Sequence, residues 1–264
     1  MPSKIAAQMY TVREFTKTAS AFSDTLQRIR AIGYPAVQLS AIGCMGGDSP
    51  EVDAAAARRM LDEHGLKCIA THRTLPNLRT TPEAEIEFHQ TLGCDYAAIG
   101  GLTAEYRDDG AEGFRRFLRD MTPAMEQLKA AGIAFGFHNH AHEFKRSGEG
   151  RATLFDILVD EGRPDLLNLE LDLYWVSHAG LNPQRLVERC TGRLPVIHVK
   201  DKEVVDKDGP VMAPIGEGNL DWEHLIPACE QAGTRWYAVE QDVCRRDPFD
   251  CLKSSFDFLT SMGL

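Results

Sequence analysis

Several short apolar runs in this 264-residue chain end in residues that can do chemistry. Gln8 and Tyr10 close one run, and Gln38 closes another. Thr71 and His72 end a third, and His138, Asn139, His140 and Glu143 follow a fourth. The remaining sets are Glu170 with Asp172, His198 with Lys200 and Asp201, and Glu240 with Gln241 and Asp242. A buried ionisable group costs several kcal/mol unless it is paired or metal-bound, so packing alone does not explain the pattern. Asp172, His198 and Glu240 end three different runs and offer two hard oxygen donors and an imidazole. That mixture suits Mn²⁺, Co²⁺, Zn²⁺ or Mg²⁺, and the lack of a thiolate set argues against a structural zinc site. The segment His138-Asn139-His140-Ala141-His142-Glu143 supplies a fourth donor. No residue set resembles an activated Ser or Cys nucleophile, and no nucleotide fingerprint points to hydride transfer. What remains is a Lewis acid surrounded by Glu, His and Lys, the equipment for removing a proton beside a carbonyl.

The elements that must position these groups are legible from punctuation. Gly33, Gly65, Gly93, Gly132 and Gly233 each follow a helical pattern and precede an apolar run. A glycine there takes the left-handed conformation that ends a helix and hands the chain to a strand. Ser49-Pro50, Thr81-Pro82 and Asp247-Pro248 read as helix starts, a capping side chain ahead of proline. The strands predicted are 5–10, 36–39, 67–70, 96–99, 133–139, 167–172, 195–199 and 236–240. Strands alternating with helices in this number predict an α/β fold, a (β/α)₈ TIM barrel over residues 1–264 as a single domain; an open doubly wound sheet shares the grammar. No GxGxxG follows the first strand, which weakens the nucleotide-binding version of that alternative. In such a barrel the active site lies at the C-terminal ends of the strands, where the polar residues fall.

Composition narrows the partners. The formal net charge of −10 repels phosphate backbones, so nucleic acid is not an expected partner. The pairs Arg58-Arg59, Arg115-Arg116 and Arg245-Arg246 stand among acids and read as solvated helix faces. Seven cysteines with no CxxC spacing read as reduced core thiols. No apolar stretch approaches the length of a membrane span, and the expected location is cytoplasmic. Gly216-Glu217-Gly218 is either a mobile loop over the mouth or a plain turn into a helix at Trp222.

Taken together, these phrases resemble the sugar phosphate isomerase/epimerase family with a xylose isomerase-like TIM barrel. That family includes tagatose epimerases, inosose isomerases and dehydratases and, more distantly, endonuclease IV. The matching segments are Gln8-Met9-Tyr10-Thr11-Val12-Arg13, Phe137-His138-Asn139-His140-Ala141-His142-Glu143-Phe144, and Leu171-Asp172 with Trp175 and Ala179-Gly180. They continue with His198-Val199-Lys200-Asp201, Gly216-Glu217-Gly218-Asn219-Leu220-Asp221-Trp222 and Val239-Glu240-Gln241-Asp242, and span almost the whole chain in the family's order.

The resemblance implies one divalent metal, Mn²⁺ foremost, held by a group from each of strands five to eight. Asp172, His198 and Glu240 carry over to the last three. The strand-five ligand of the epimerases is a Glu inside the strand. Here His138 stands at that position, and Glu143 is the alternative carboxylate. Glu143, Glu240, His140 and Lys200 are the candidate catalytic acids and bases; Gln8, Tyr10, His72 and Trp175 are candidate substrate contacts. The implied reaction is isomerisation or epimerisation of a sugar, keto-sugar or inositol derivative through an enediolate. The alternative is a keto-polyol dehydratase that expels a β-hydroxyl. An endonuclease IV-like DNA repair enzyme would want three zinc ions and a basic face. No phosphate cradle stands out, which favours an unphosphorylated substrate. A homo-oligomer remains open.

Overall fold

The computed structural model describes residues 3–148, 150–206 and 209–264. Its strands are β1 (Ile5–Gln8), β2 (Ala36–Leu39), β3 (Lys67–Arg73), β4 (Tyr96–Ile99), β5 (Ala134–His138), β6 (Leu167–Glu170) and β7 (Val196–Val199). A hairpin, β8 (Asp201–Val205) and β9 (Gly209–Ala213), precedes the last strand, β10 (Trp236–Val239). The barrel strands run in the order β6-β5-β4-β3-β2-β1-β10-β7, every pair parallel. The seam between β6 and β7 closes through Leu169 N to Arg193 O and His198 N to Leu171 O, both 2.8 Å, and a parallel bridge between Asp172 and His198. All eight predicted strands are present in a (β/α)₈ arrangement.

Alternate strand residues face the barrel axis, and the others face the helices. The outward set, including Ile5, Ala7, Val37, Ile99, Phe137, Leu169, Ile197 and Val239, packs into the large core under the helices. The inward set is small: Ala6, Ala36, Ala70, Ala98 and Ala238 cluster with Ile69, Tyr96 and Val196. Tyr96 fills the interior so fully that a Cβ on Gly136 would sit 2.1 Å from its hydroxyl. Two residues beyond these inward positions come Gln8, Gln38, His72, Gly100 and Glu240. The same step leads from Gly136 to His138 and from Val196 to His198. The strand period therefore sets a layer of polar side chains directly above a layer of small ones.

The five predicted glycine junctions all have positive φ, from +65° at Gly65 to +128° at Gly33. Asp247 caps the helix Pro248–Ser261, accepting from Phe249 N and Asp250 N. Thr81 precedes the helix Pro82–Leu92, but its hydroxyl donates to Asn77 O and caps nothing. Ser49-Pro50 is not a helix start. The helix begins at Ala54, because the Asp53 carboxylate accepts from Ala56 N at 2.7 Å at the head of an alanine run. Arg58, Arg115 and Arg116 lie on helices and pair with acids, whereas Arg245 and Arg246 are not on a helix face but in the segment before Pro248, paired with Glu203 and Glu217. All seven cysteines are free, six of them buried. Among the described residues no helix is long and apolar enough to cross a membrane.

The hairpin and the loop after it hang on one carboxylate. Asp201, fully buried, accepts from Lys202 N and Leu220 N on Oδ1, and from Gly216 N, Gly218 N and Trp222 Nε1 on Oδ2, at 2.7–3.1 Å. A Cβ on Gly218 would lie 2.3 Å from that carboxylate, and Gly216 has φ +88°. The segment 216–222 is a pinned turn into a helix. Asp201→Ala strands these donors and is expected to cost at least about 3 kcal/mol in urea unfolding. Glu217→Ala, which removes an exposed pair with Arg246, should cost under about 1 kcal/mol. Equal unfolding midpoints for the two variants would contradict this account.

Candidate active site

Apart from His138, the polar side chains described at the top of the barrel find partners in neighbouring strands or across the axis. Gln8 Nε2 donates to Glu240 Oε1 and Gln38 Nε2 to Glu170 Oε1, each at 2.9 Å. His72 Nε2 lies 2.6 Å from Glu170 Oε2. His198 sits between acceptors, Nδ1 at 2.9 Å from Glu240 Oε2 and Nε2 at 2.8 Å from Gln38 Oε1 and 3.3 Å from Glu170 Oε2. Lys200 is 1% exposed, and its ammonium lies 2.9 Å from each of Asp172 Oδ2, Glu240 Oε2 and Asp242 Oδ2. Asn139 Oδ1 accepts from Asp172 N at 3.0 Å, which ties the end of β5 to the end of β6.

Burial alone would neutralise these groups, and their mutual pairing decides otherwise. Burial pushes His198 down, but Glu170 and Glu240 more than offset it and bring its pKa up to about 10. Burial raises Glu170, yet His198 and His72 pull it to about 2. Glu240 is likewise held below the usual carboxylate range, with Lys200 and His198 overcoming burial. Lys200 is raised above the ordinary ammonium value by Asp172, Glu240 and Asp242 against burial. Asp172 is different, since burial prevails and lifts it to about 6. Burial, reinforced by His198, His72 and His140, keeps His138 well below the ordinary imidazole value.

The cluster has the charge and the donors for a cation. Four carboxylates, Glu170, Asp172, Glu240 and Asp242, face Lys200 and His198 in a largely buried place. Burial favours the neutral form of His138, and its Nδ1 has no hydrogen-bond partner among the described residues. Its two nitrogens lie 3.7 Å from Glu170 Oε2 and 3.9 Å from Asp172 Oδ2. His138, Asp172, His198 and Glu240 bring one donor atom each within 4.8 Å of one another, and so do His72, His138, Glu170 and His198. The residues present fit a divalent metal.

The structure divides the sequence candidates. His138, Asp172, His198, Glu240 and Lys200 form one cluster, with Gln8 and His72 bonded into it. Tyr10, His140 and Trp175 line a cavity of about 550 Å³ above it, together with His72, His138 and Glu240. Glu143 lies elsewhere: the 3₁₀ turn His142–Phe144 swings its carboxylate back to accept from His140 N at 2.7 Å. Glu170, Gln38 and Asp242 belong to the cluster although the sequence reading gave them no role. The available signal was the two-residue spacing, since Glu170 precedes Asp172 and Asp242 follows Glu240 on the same face.

A family model described as xylose isomerase-like TIM barrel matches residues 26–262. No curated protein matches the chain at a significant level. Among solved structures, a sugar phosphate isomerase/epimerase from Parabacteroides distasonis is similar at 22% identity, over 99% of this chain and 95% of that one, with a TM-score of 0.77. A D-allulose 3-epimerase from Methylomonas sp. is 14% identical over 98% of this chain and 97% of that one, with a TM-score of 0.70. A probable 3-DHS dehydratase from Bacillus anthracis is 14% identical over 98% and 99%, with a TM-score of 0.72. At these identities the neighbours speak for the fold, while the family match covers most of the sequence. The chain belongs to the xylose isomerase-like TIM barrel family.

Proposed function

We propose that this protein is a metal-dependent isomerase or epimerase of an unphosphorylated sugar, keto-sugar or cyclitol, acting by proton abstraction beside a carbonyl. The observation that carries the reading is the quartet His138, Asp172, His198 and Glu240 at the floor of the cavity. The cavity's volume falls within the roughly 300–1,000 Å³ of small-molecule sites. None of its described lining residues is Arg or Lys, and two, Glu240 and Asp242, are acidic, which disfavours a phosphate. The similarity to proteins named as sugar epimerases supports the substrate class.

A Mn²⁺, Co²⁺ or Zn²⁺ ion held by the quartet would polarise a substrate carbonyl and acidify the carbon-bound proton next to it. Glu240 is the group we assign to take that proton, its Oε1 held by Gln8. His140 follows β5 and Glu240 follows β10, so they approach a molecule in the cavity from different sides. An epimerase needs such a second group on the opposite face. Lys200 holds its proton too firmly to act as a base; we assign it to orienting Asp172, Glu240 and Asp242 and keeping them ionised. Tyr10 and Trp175 offer aromatic faces to the apolar side of a sugar ring. The second reading is a lyase that expels a β-hydroxyl, and the similarity to a dehydratase supports it.

Two outcomes are expected. His138→Ala, Asp172→Ala and His198→Ala should each weaken Mn²⁺ binding at least about tenfold in calorimetric titration, with the barrel still folded by circular dichroism. Unchanged affinity in all three would remove the metal-dependent reading. In heavy water, turnover of a panel of ketohexoses, inososes and 3-keto-glycosides should place deuterium at the carbon beside the carbonyl of recovered sugar. An enone or diketone product without such return identifies the lyase. Turnover with neither solvent exchange nor an isotope effect at that carbon would show that proton abstraction is wrong.

A further inference from the structure

We propose that His140, His142 and Glu143 form a second divalent-cation site, matched to zinc, beside the same cavity, which it meets through His140. It stands on observations separate from the quartet. One donor atom from each of the three residues lies within 4.8 Å of the others. Glu143 is fully buried, and its Oε2 is fixed by the His140 N–H. Its other oxygen, Oε1, has no hydrogen-bond partner among the described residues, and neither does the buried Nδ1 of His140. His142 Nε2 reaches to 2.9 Å from Glu143 Oε1, out of line for a hydrogen bond. The two imidazole rings stack at an interplanar angle of 15° with centroids 5.5 Å apart.

Two buried polar atoms without a hydrogen bond, on residues that gather their donors within 4.8 Å, call for an explanation. A cation satisfies both at once. Two imidazoles and one carboxylate are the donor set of zinc sites that keep a fourth position open for water or a substrate oxygen. The local sequence builds this set: β5 ends at His138, and the 3₁₀ turn His142–Phe144 that soon follows folds Glu143 back beneath His140. Both imidazoles border a second hollow of about 540 Å³ lined also by Arg73, Gly101 and Arg107, which meets the catalytic cavity at Gly100 and His140. A cation on His140 Nδ1 fixes the ring's proton on Nε2, so that His140 presents a donor to the substrate.

Equilibrium dialysis of the full chain against Zn²⁺ tests this, with His142→Ala and Asp172→Ala as reporters of the two sites. His142 is about half exposed, so its loss spares the fold. The wild type should bind two ions per chain and each variant one, with the visible spectrum of Co²⁺ bound to His142→Ala matching the quartet's contribution alone. A wild type that binds a single ion lost in Asp172→Ala, or a His142→Ala variant that binds as many ions as wild type, overturns the second site. Retention of both ions by Asp172→Ala would instead count against the quartet, so the two readings fail separately.

Discussion

Carboxylates buried on a barrel axis repel one another and lose their hydration, and much of this molecule's upper half is arranged around that problem. Lys200 stands among three of them and His198 between two, so that each cation is shared and each carboxylate oxygen is aimed. Removing any one member leaves an uncompensated charge where water does not reach, which is why such clusters tolerate little change. The same residues complete the barrel. Where β6 and β7 would otherwise gape, the Asp172–His198 bridge joins them, and Asn139 holds the Asp172 backbone from the β5 side. Closure of the fold and assembly of the site are one event on that side.

Below the charges the interior is made of alanine, glycine and one large phenol. Ala6, Ala36, Ala98 and Ala238 let the strands approach closely, and Tyr96 takes the space left opposite Gly136. The Tyr96 hydroxyl has no hydrogen-bond partner among the described residues, a cost accepted where volume had to be filled. A dry, rigid floor keeps the effective dielectric low beneath the cluster, and that strengthens every pairing above it.

The strands were legible because they are short and mostly apolar, and five of them are preceded by a glycine that ends a helix. The side-chain period then told which residues share a face, and Gln8, His138, His198 and Glu240 follow from it. It could not tell which of those residues meet across the axis. Gln38 lies on strand two and Glu170 on strand six, and their bond depends on barrel curvature and on the register shift between Val37 and Gln38. The hairpin 201–213 was invisible for another reason: Lys202, Glu203 and Pro210 break the alternation, and its stability comes from Asp201 rather than from an apolar face. Glu143 illustrates the limit of spacing, since one 3₁₀ turn decides whether a loop carboxylate points at the axis or away from it.

The position of His138 changes the chemistry that the cluster offers. Where the epimerases that the sequence resembles place a carboxylate on strand five, a neutral imidazole stands here, and one negative charge is missing from that strand. Glu170 restores it from the next strand, its Oε2 3.7 Å from His138 Nδ1 and 2.6 Å from His72 Nε2. The negative charge of the cluster is thus kept while one of its four donors turns from oxygen to nitrogen. Two imidazoles and two carboxylates form a softer set than three carboxylates and one imidazole, so on the proposed reading an ion held there would be drawn from Mg²⁺ toward Co²⁺ and Zn²⁺, with Mn²⁺ between.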